Sequence, residues 1–450
     1  MCEAEGASVA GTTTRCERRC RPRRGRAWHG ARAVACGERR WRERRACSSA
    51  GASVEQPWSG IRVVEIGDGV AVSCAGKQFA DFGADVVKVE RLGGGEVRRL
   101  PPFPGDRPHR DRGGFHLSLN SGKRSLALDV CTPSGREVIG RLASGAQLAF
   151  VELPPAAAGA VLDALRRAQA APSVVVMSPH GLDGPYRDRR ENDLSVFAWT
   201  TRLHRHRLEG EPPLRYAPHV VAMQVGLTAA AAAAGAVWGQ LHDGARRDAE
   251  VSAVEALAGN VDTSFVAWSL SGGAPSVPRR SRGTYPVGTY RCKDGYVQLT
   301  AGDSPFFERA CRAIDRPDFI DDPRFLTKEV RPAHHEEFLA VFQPWLDART
   351  KGEVFRAMQS ERVLCTPILD ISEALADAQS VARGSYVAVD QPGVGTMTLA
   401  GPPFRLGGVE GDRWSAGPAP CLGEHGGEIL DGLGYSRDEQ QALFRAGVTG

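Results

Sequence analysis

Between Ile61 and Glu90 the chain reads as strand, helix and strand with very short links: IRVVEIG, then VSCAGKQFADFG ended by Gly83, then DVVKVE. Such a unit favours parallel pairing, because the helix supplies the crossover and covers one face of the sheet. The pattern recurs as SLALDV, a helix from about Ser134 to Leu142, QLAFVE, a helix from Ala156 to Ala168, and SVVVMS. Consecutive strands wrapped by helices predict an α/β fold with a Rossmann-like large domain. IGDGVAVS lacks the third glycine of a dinucleotide-binding loop, so no nicotinamide site is expected.

A long helix from Val220 to about Leu241 follows, then AEVSAVEALAGNVDTSFVAWSL, read as a strand running into a helix. SGGAPSVPRRSRG has the glycine, proline and serine content of a linker. TYRCKDGYVQLT carries a hairpin signal around Lys293, Asp294 and Gly295. Helices are expected at Ser304 to Ile314, Ala333 to Trp345 and Glu353 to Glu361, the last behind a Thr350 to Glu353 capping box. SYVAVD and GTMTLAGPPFRL return to strand, and Ser436 to Glu439 caps a final helix bearing Leu443 and Phe444. The predicted organisation is a disordered Arg-rich extension over 1–55, a large Rossmann-like domain over 56–283, a smaller α+β domain over 284–390, and a return to the large domain over 391–450.

A length of 450 residues suits two domains, and 42% apolar with 24% charged residues is a globular composition. The net charge of +4 misleads, because residues 1–50 hold 13 Arg against 5 acids. The remainder carries 44 basic against 48 acidic side chains, so no nucleic-acid partner is expected. The 11 cysteines are scattered; Cys16, Cys20, Cys36 and Cys47 lack a metal-ligand spacing, and reduced thiols in a cytoplasmic protein fit best. The alanine-rich run Leu227 to Val237 reads as packed helix, too short and weakly apolar for a bilayer, so no membrane partner is expected.

Five stretches carry a resemblance: GIRVVEIGDGVAVSCAGKQFADFGADVVKVER, LNSGKRSLALDVCTPSGRE, YPVGTYRCKDGYVQLT, DDPRF and PCLGEHGGEILDGLGYS. In that order over roughly 59–438, they resemble CoA-transferase family III, which includes the carnitine and bile-acid enzymes and alpha-methylacyl-CoA racemases. The resemblance implies an interlocked homodimer and coenzyme A or acyl-CoA as substrate, with no tightly bound cofactor and no metal. It places Arg91, Lys123 and Arg124 near CoA phosphates, and Asp68, Gly69, Val70 and Ala71 in the loop that approaches the thioester. Helix capping is an equally open role for Asp68.

The departures from the family pattern fall on the chemistry. Counting back from Gly226 places Ala222 where the transferases carry their nucleophilic aspartate, and a methyl group neither attacks a thioester nor takes a proton. Asn192 stands where the racemases carry histidine, followed by Asp193. Glu152, Leu153 and Pro154 replace a carboxylate, Asn and Phe patch that contacts CoA. His219 and Asp193 are the catalytic candidates, His219 because it lies three residues before Ala222. Asp193 has the alternative of capping the helix entered by LSVFAW. Glu191, His204 and His206 are further candidates, and Trp199 and Trp268 suit an acyl pocket or core packing. Three readings stay open: a divergent transferase, a noncatalytic binder of acyl-CoA or an acyl-carrier protein or a partner subunit, and a racemase.

Overall fold

The computed structural model describes residues 56–207, 210–258, 264–272, 285–406 and 417–450. All of the Arg-rich extension and most of the SGGAPSVPRRSRG linker lie outside the described residues. Six parallel strands form the main sheet: β1 (Arg62–Gly67), β2 (Asp85–Glu90), β3 (Arg124–Ala127), β4 (Leu148–Glu152), β5 (Ser173–Ser178) and β6 (Ala249–Ser252). Their order, β3-β2-β1-β4-β5-β6, is that of a doubly wound sheet. The chain builds outward from β1 to β3, then crosses back to place β4 on the other side of β1. Gly67 at the end of β1 therefore lies opposite Glu152 at the end of β4. At such a reversal the flanking connections diverge and leave a crevice beyond the strand ends.

The helices that matter for this crevice are α1 (Val70–Ala80), α2 (Pro133–Ala143), α3 (Pro155–Arg167), α4 (Asp193–Trp199) and α5 (Val220–Asp243). On one face of the sheet α1 and α5 pack together, burying Val72, Ala75 and Phe79 with Val225, Ala229 and Ala233. Gly226 makes that approach possible: a Cβ there would fall 2.5 Å from the Ala71 carbonyl oxygen. On the other face α2 and α3 bury Val138, Ile139, Val161 and Leu165 against the strands. By length and composition alone the 24-residue α5 could cross a membrane, but it packs as the core helix expected of its alanine-rich run. Its packed stripe, Val221, Val225, Ala229, Ala233 and Val237, belongs to the protein core.

Charge is buried beneath α1. Lys88 and Lys123 each place their ammonium 2.7 Å from an oxygen of Glu65, and all three side chains are fully enclosed. A buried carboxylate shared by two ammonium groups meets the requirement that enclosed charge be paired.

A second, antiparallel sheet joins β7 (Val287–Cys292), β8 (Gly295–Thr300) and β9 (Leu364–Pro367). It has its own core, in which Phe307, Phe325, Phe338 and Phe342 are fully buried. The expected hairpin is present with Lys293 and Asp294 at its turn, and the Thr350 and Ser436 capping boxes both form. The last segment returns to the parallel sheet: Ile429, Leu430, Tyr435 and Val448 join the core on the α2 and α3 face. Phe444 stays exposed and Leu443 packs.

Candidate active site

A cleft of about 400 Å³ opens at the β1/β4 reversal, lined by the start of α1, the starts of α4 and α5, and the segment before α5. Gly69, Val70, Glu152, Asp193, His219 and Ala222 all face it.

Of the three helices that start at this cleft, α1 and α5 are not capped by their own N-cap side chains. Gly69 has none, and His219, in a left-handed backbone conformation at φ 66°, makes no side-chain cap. Each of these two is capped instead from another element. The Val72 amide donates to Glu152 Oε2 at 2.9 Å, and the Ala222 amide donates to Asp193 Oδ1 at 3.2 Å. Both amides occupy the third helical position, where a carboxylate satisfies an orphan donor and meets the positive end of the helix dipole.

The cap on α1 depends on Gly69. A Cβ there would lie 2.5 Å from Glu152 Oε2, so any side chain displaces the carboxylate. Burial pushes the Glu152 carboxyl above its ordinary pKa, against the opposing pull of the Val72 amide. Asp193 differs in that its second oxygen, Oδ2, is enclosed with no hydrogen-bond partner. An enclosed oxygen without a donor carries a desolvation penalty.

Glu191 completes the acidic wall. His180 Nε2 stands 2.9 Å from its Oε1, and Trp199 Nε1 donates to the same oxygen at 3.2 Å. These bonds, His180 first, hold the Glu191 carboxyl below its ordinary pKa. Tyr186 and Arg189 extend the cluster, with the guanidinium 3.9 Å above the tyrosine ring.

Several expected residues sit elsewhere or act differently. Lys123 is corrected from a phosphate contact to an internal ion: it bonds Glu65, the Ser73 carbonyl at 2.8 Å and Asn120 at 2.9 Å. Burial pulls its pKa down to about 8, as expected for an ammonium removed from water. Arg124 pairs with Asp85 at 2.6 Å and reaches Glu428, and is not among the cleft residues. Arg91 is bound to Asp68 at 3.0 Å, which places the pair one residue from Gly69 and corrects the capping role for Asp68. Asn192, not Asp193, caps α4, through a reciprocal bond with Ser195. That leaves Asp193 free to reach α5. His219 meets Phe115 edge-on at 4.7 Å. His206 bonds the Leu214 carbonyl at 2.7 Å. Trp199 and Trp268 are exposed, which corrects core packing as their role.

Sequence reasoning noticed Glu152 only as part of a changed patch, and missed His180. A carboxylate ending the strand beside β1 was the available signal for Glu152; no spacing pointed to His180. Among the described residues no group of three or more His, Cys, Asp or Glu side chains is placed to hold a metal ion.

A doubly wound sheet with a carboxylate-lined cleft at its reversal defines a layered α/β protein whose cleft lies at the strand ends. The chain belongs to CoA-transferase family III, which it matches over residues 58–426. It is 28% identical over 408 residues, covering 87% of this chain and 98% of the other, to a subunit of succinyl-CoA:(R)-benzylsuccinate CoA-transferase of Thauera aromatica. Human succinyl-CoA:glutarate CoA-transferase is 25% identical over 87% of this chain and 90% of its own. The fold is similar to that of a CAIB/BAIF family protein from Brucella suis, with a TM-score of 0.74 at 22% identity over 84% of this chain and all of that one.

Proposed function

We propose that the cleft binds an acyl thioester of coenzyme A and transfers its acyl or CoA group by a route that uses Asp193 in place of the carboxylate absent at Ala222. The carrying observation is the contact of Asp193 Oδ1 with the Ala222 amide at 3.2 Å, beside an Oδ2 that has no donor. An oxygen without a hydrogen-bond donor keeps its lone pairs available for attack. In the proposed step the Asp193 carboxylate turns an oxygen into the cleft as the thioester enters and attacks the carbonyl carbon, the carbon–sulfur bond breaks, and CoA leaves as thiolate. First-turn amides of α1 and α5 supply dipoles for the developing oxyanion. His219 lines the same cleft and is proposed to assist proton movement. Arg91 is the proposed CoA-phosphate contact, because its side chain is half-exposed despite its bond to Asp68.

A second reading, a noncatalytic acyl-CoA or acyl-carrier binder, is favoured by the enclosure of Asp193 Oδ2 and the methyl group of Ala222. It predicts binding without turnover. The racemase reading loses support because the Asn192 side chain is engaged by the Ser195 amide at 3.0 Å. A homodimer is proposed from Trp238 and Leu241, both about two-thirds exposed on α5, which a second copy would cover. The test is exchange of labelled propionate into butyryl-CoA by the wild type and Asp193→Asn. Turnover confined to the wild type supports the reading, and equal rates overturn it.

A further inference from the structure

The acids that ring the cleft face little opposite charge. Glu96, Glu152, Glu191 and Asp193 line it, and Arg215 is the one lysine or arginine among its described lining residues. Arg215 is exposed, so water hydrates and weakens its charge. Glu191 is fixed in place by His180 and Trp199, and Asp193 holds an enclosed oxygen without a donor. Glu152 offers no counter-charge in either protonation state. The relatives named above carry dicarboxylates in their names, succinate with benzylsuccinate or glutarate. A second carboxylate on an acyl group entering this cleft would be stripped of water against a wall of its own sign, which disfavours binding.

Resting on the acyl-thioester reading above, we propose that the acyl groups accepted here carry no ionised carboxylate beyond the reacting carbonyl. Uncharged and amine-bearing acyl groups are the substrate class. An amine gains from the acidic wall, and an alkyl chain meets Val70, Phe197 and Val221, which also line the cleft.

The test is calorimetric titration of the full chain with butyryl-CoA, β-alanyl-CoA and succinyl-CoA at one ionic strength. Butyryl-CoA and β-alanyl-CoA are expected to bind about tenfold tighter than succinyl-CoA. Succinyl-CoA binding as tightly as butyryl-CoA overturns this inference and leaves the thioester reading standing. Binding of none of the three overturns both. In a folded Glu96→Gln/Glu191→Gln variant the gap is expected to narrow to about threefold; an unchanged gap overturns the acidic wall as its cause.

Discussion

Asp193 Oδ1 accepts the backbone amide of Ala222 at 3.2 Å, so a carboxylate from the first turn of α4 caps the third position of α5. The residue whose own side chain is a methyl group thus has a borrowed carboxylate against its backbone. Glu152 does the same for Val72 on α1. The two contacts fix the two acids around one cleft.

Two substitutions separate stability from the proposed chemistry at Asp193. Asp193→Ala removes the cap and is expected to destabilise the protein by about 1 kcal/mol. Asp193→Asn keeps an oxygen for the Ala222 amide and is expected to stay within about 0.5 kcal/mol of wild type. Denaturant titration of both variants checks this; an equal loss in the two contradicts the cap.

Ala222→Asp places a carboxylate on the cleft from the helix start itself. It is expected to make transfer about tenfold less dependent on Asp193, read as the effect of Asp193→Asn in the two backgrounds. Initial rates of label exchange give the comparison. No coupling between the two positions would separate Ala222 from the reacting site.

Glu152 predicts a pH trend in stability. Its carboxyl is held above the ordinary 4.5 in the folded protein. Its stability contribution is therefore full below that pH and lost as pH rises through the folded value. Glu152→Gln keeps an acceptor for Val72 without the ionisation. Relative to wild type, the variant is expected to gain in melting temperature between pH 4.5 and neutrality. A constant difference across that range contradicts the burial of Glu152.

Gly226→Ala tests the approach of α1 and α5. The added methyl meets the Ala71 carbonyl, a backbone atom with little room to yield. A loss of about 2 kcal/mol is expected by denaturant titration, together with weaker butyryl-CoA binding. Unchanged binding in the destabilised variant would show that the helix contact does not shape the cleft.

Much of the fold was legible because its signals are local. The strand–helix units that open the chain declare parallel pairing within about thirty residues, and the Thr350 and Ser436 boxes close over three residues. The site was less legible because its contacts are distant in sequence. Glu65 and Lys123 are 58 positions apart, Val72 and Glu152 are 80, and Asp193 and Ala222 are 29. Lys123 therefore looked like a phosphate contact, and Asp193 looked like the cap of the helix it begins. Ala222, singled out by the family resemblance through its spacing from Gly226, does line the cleft.

The most direct measurement is propionate exchange into butyryl-CoA by the full chain, with Asp193→Asn as its control. The account predicts exchange by the wild type and a fall of about a hundredfold in Asp193→Asn at unchanged stability. Exchange that persists in Asp193→Asn, or a wild type that binds butyryl-CoA and never turns it over, would contradict it.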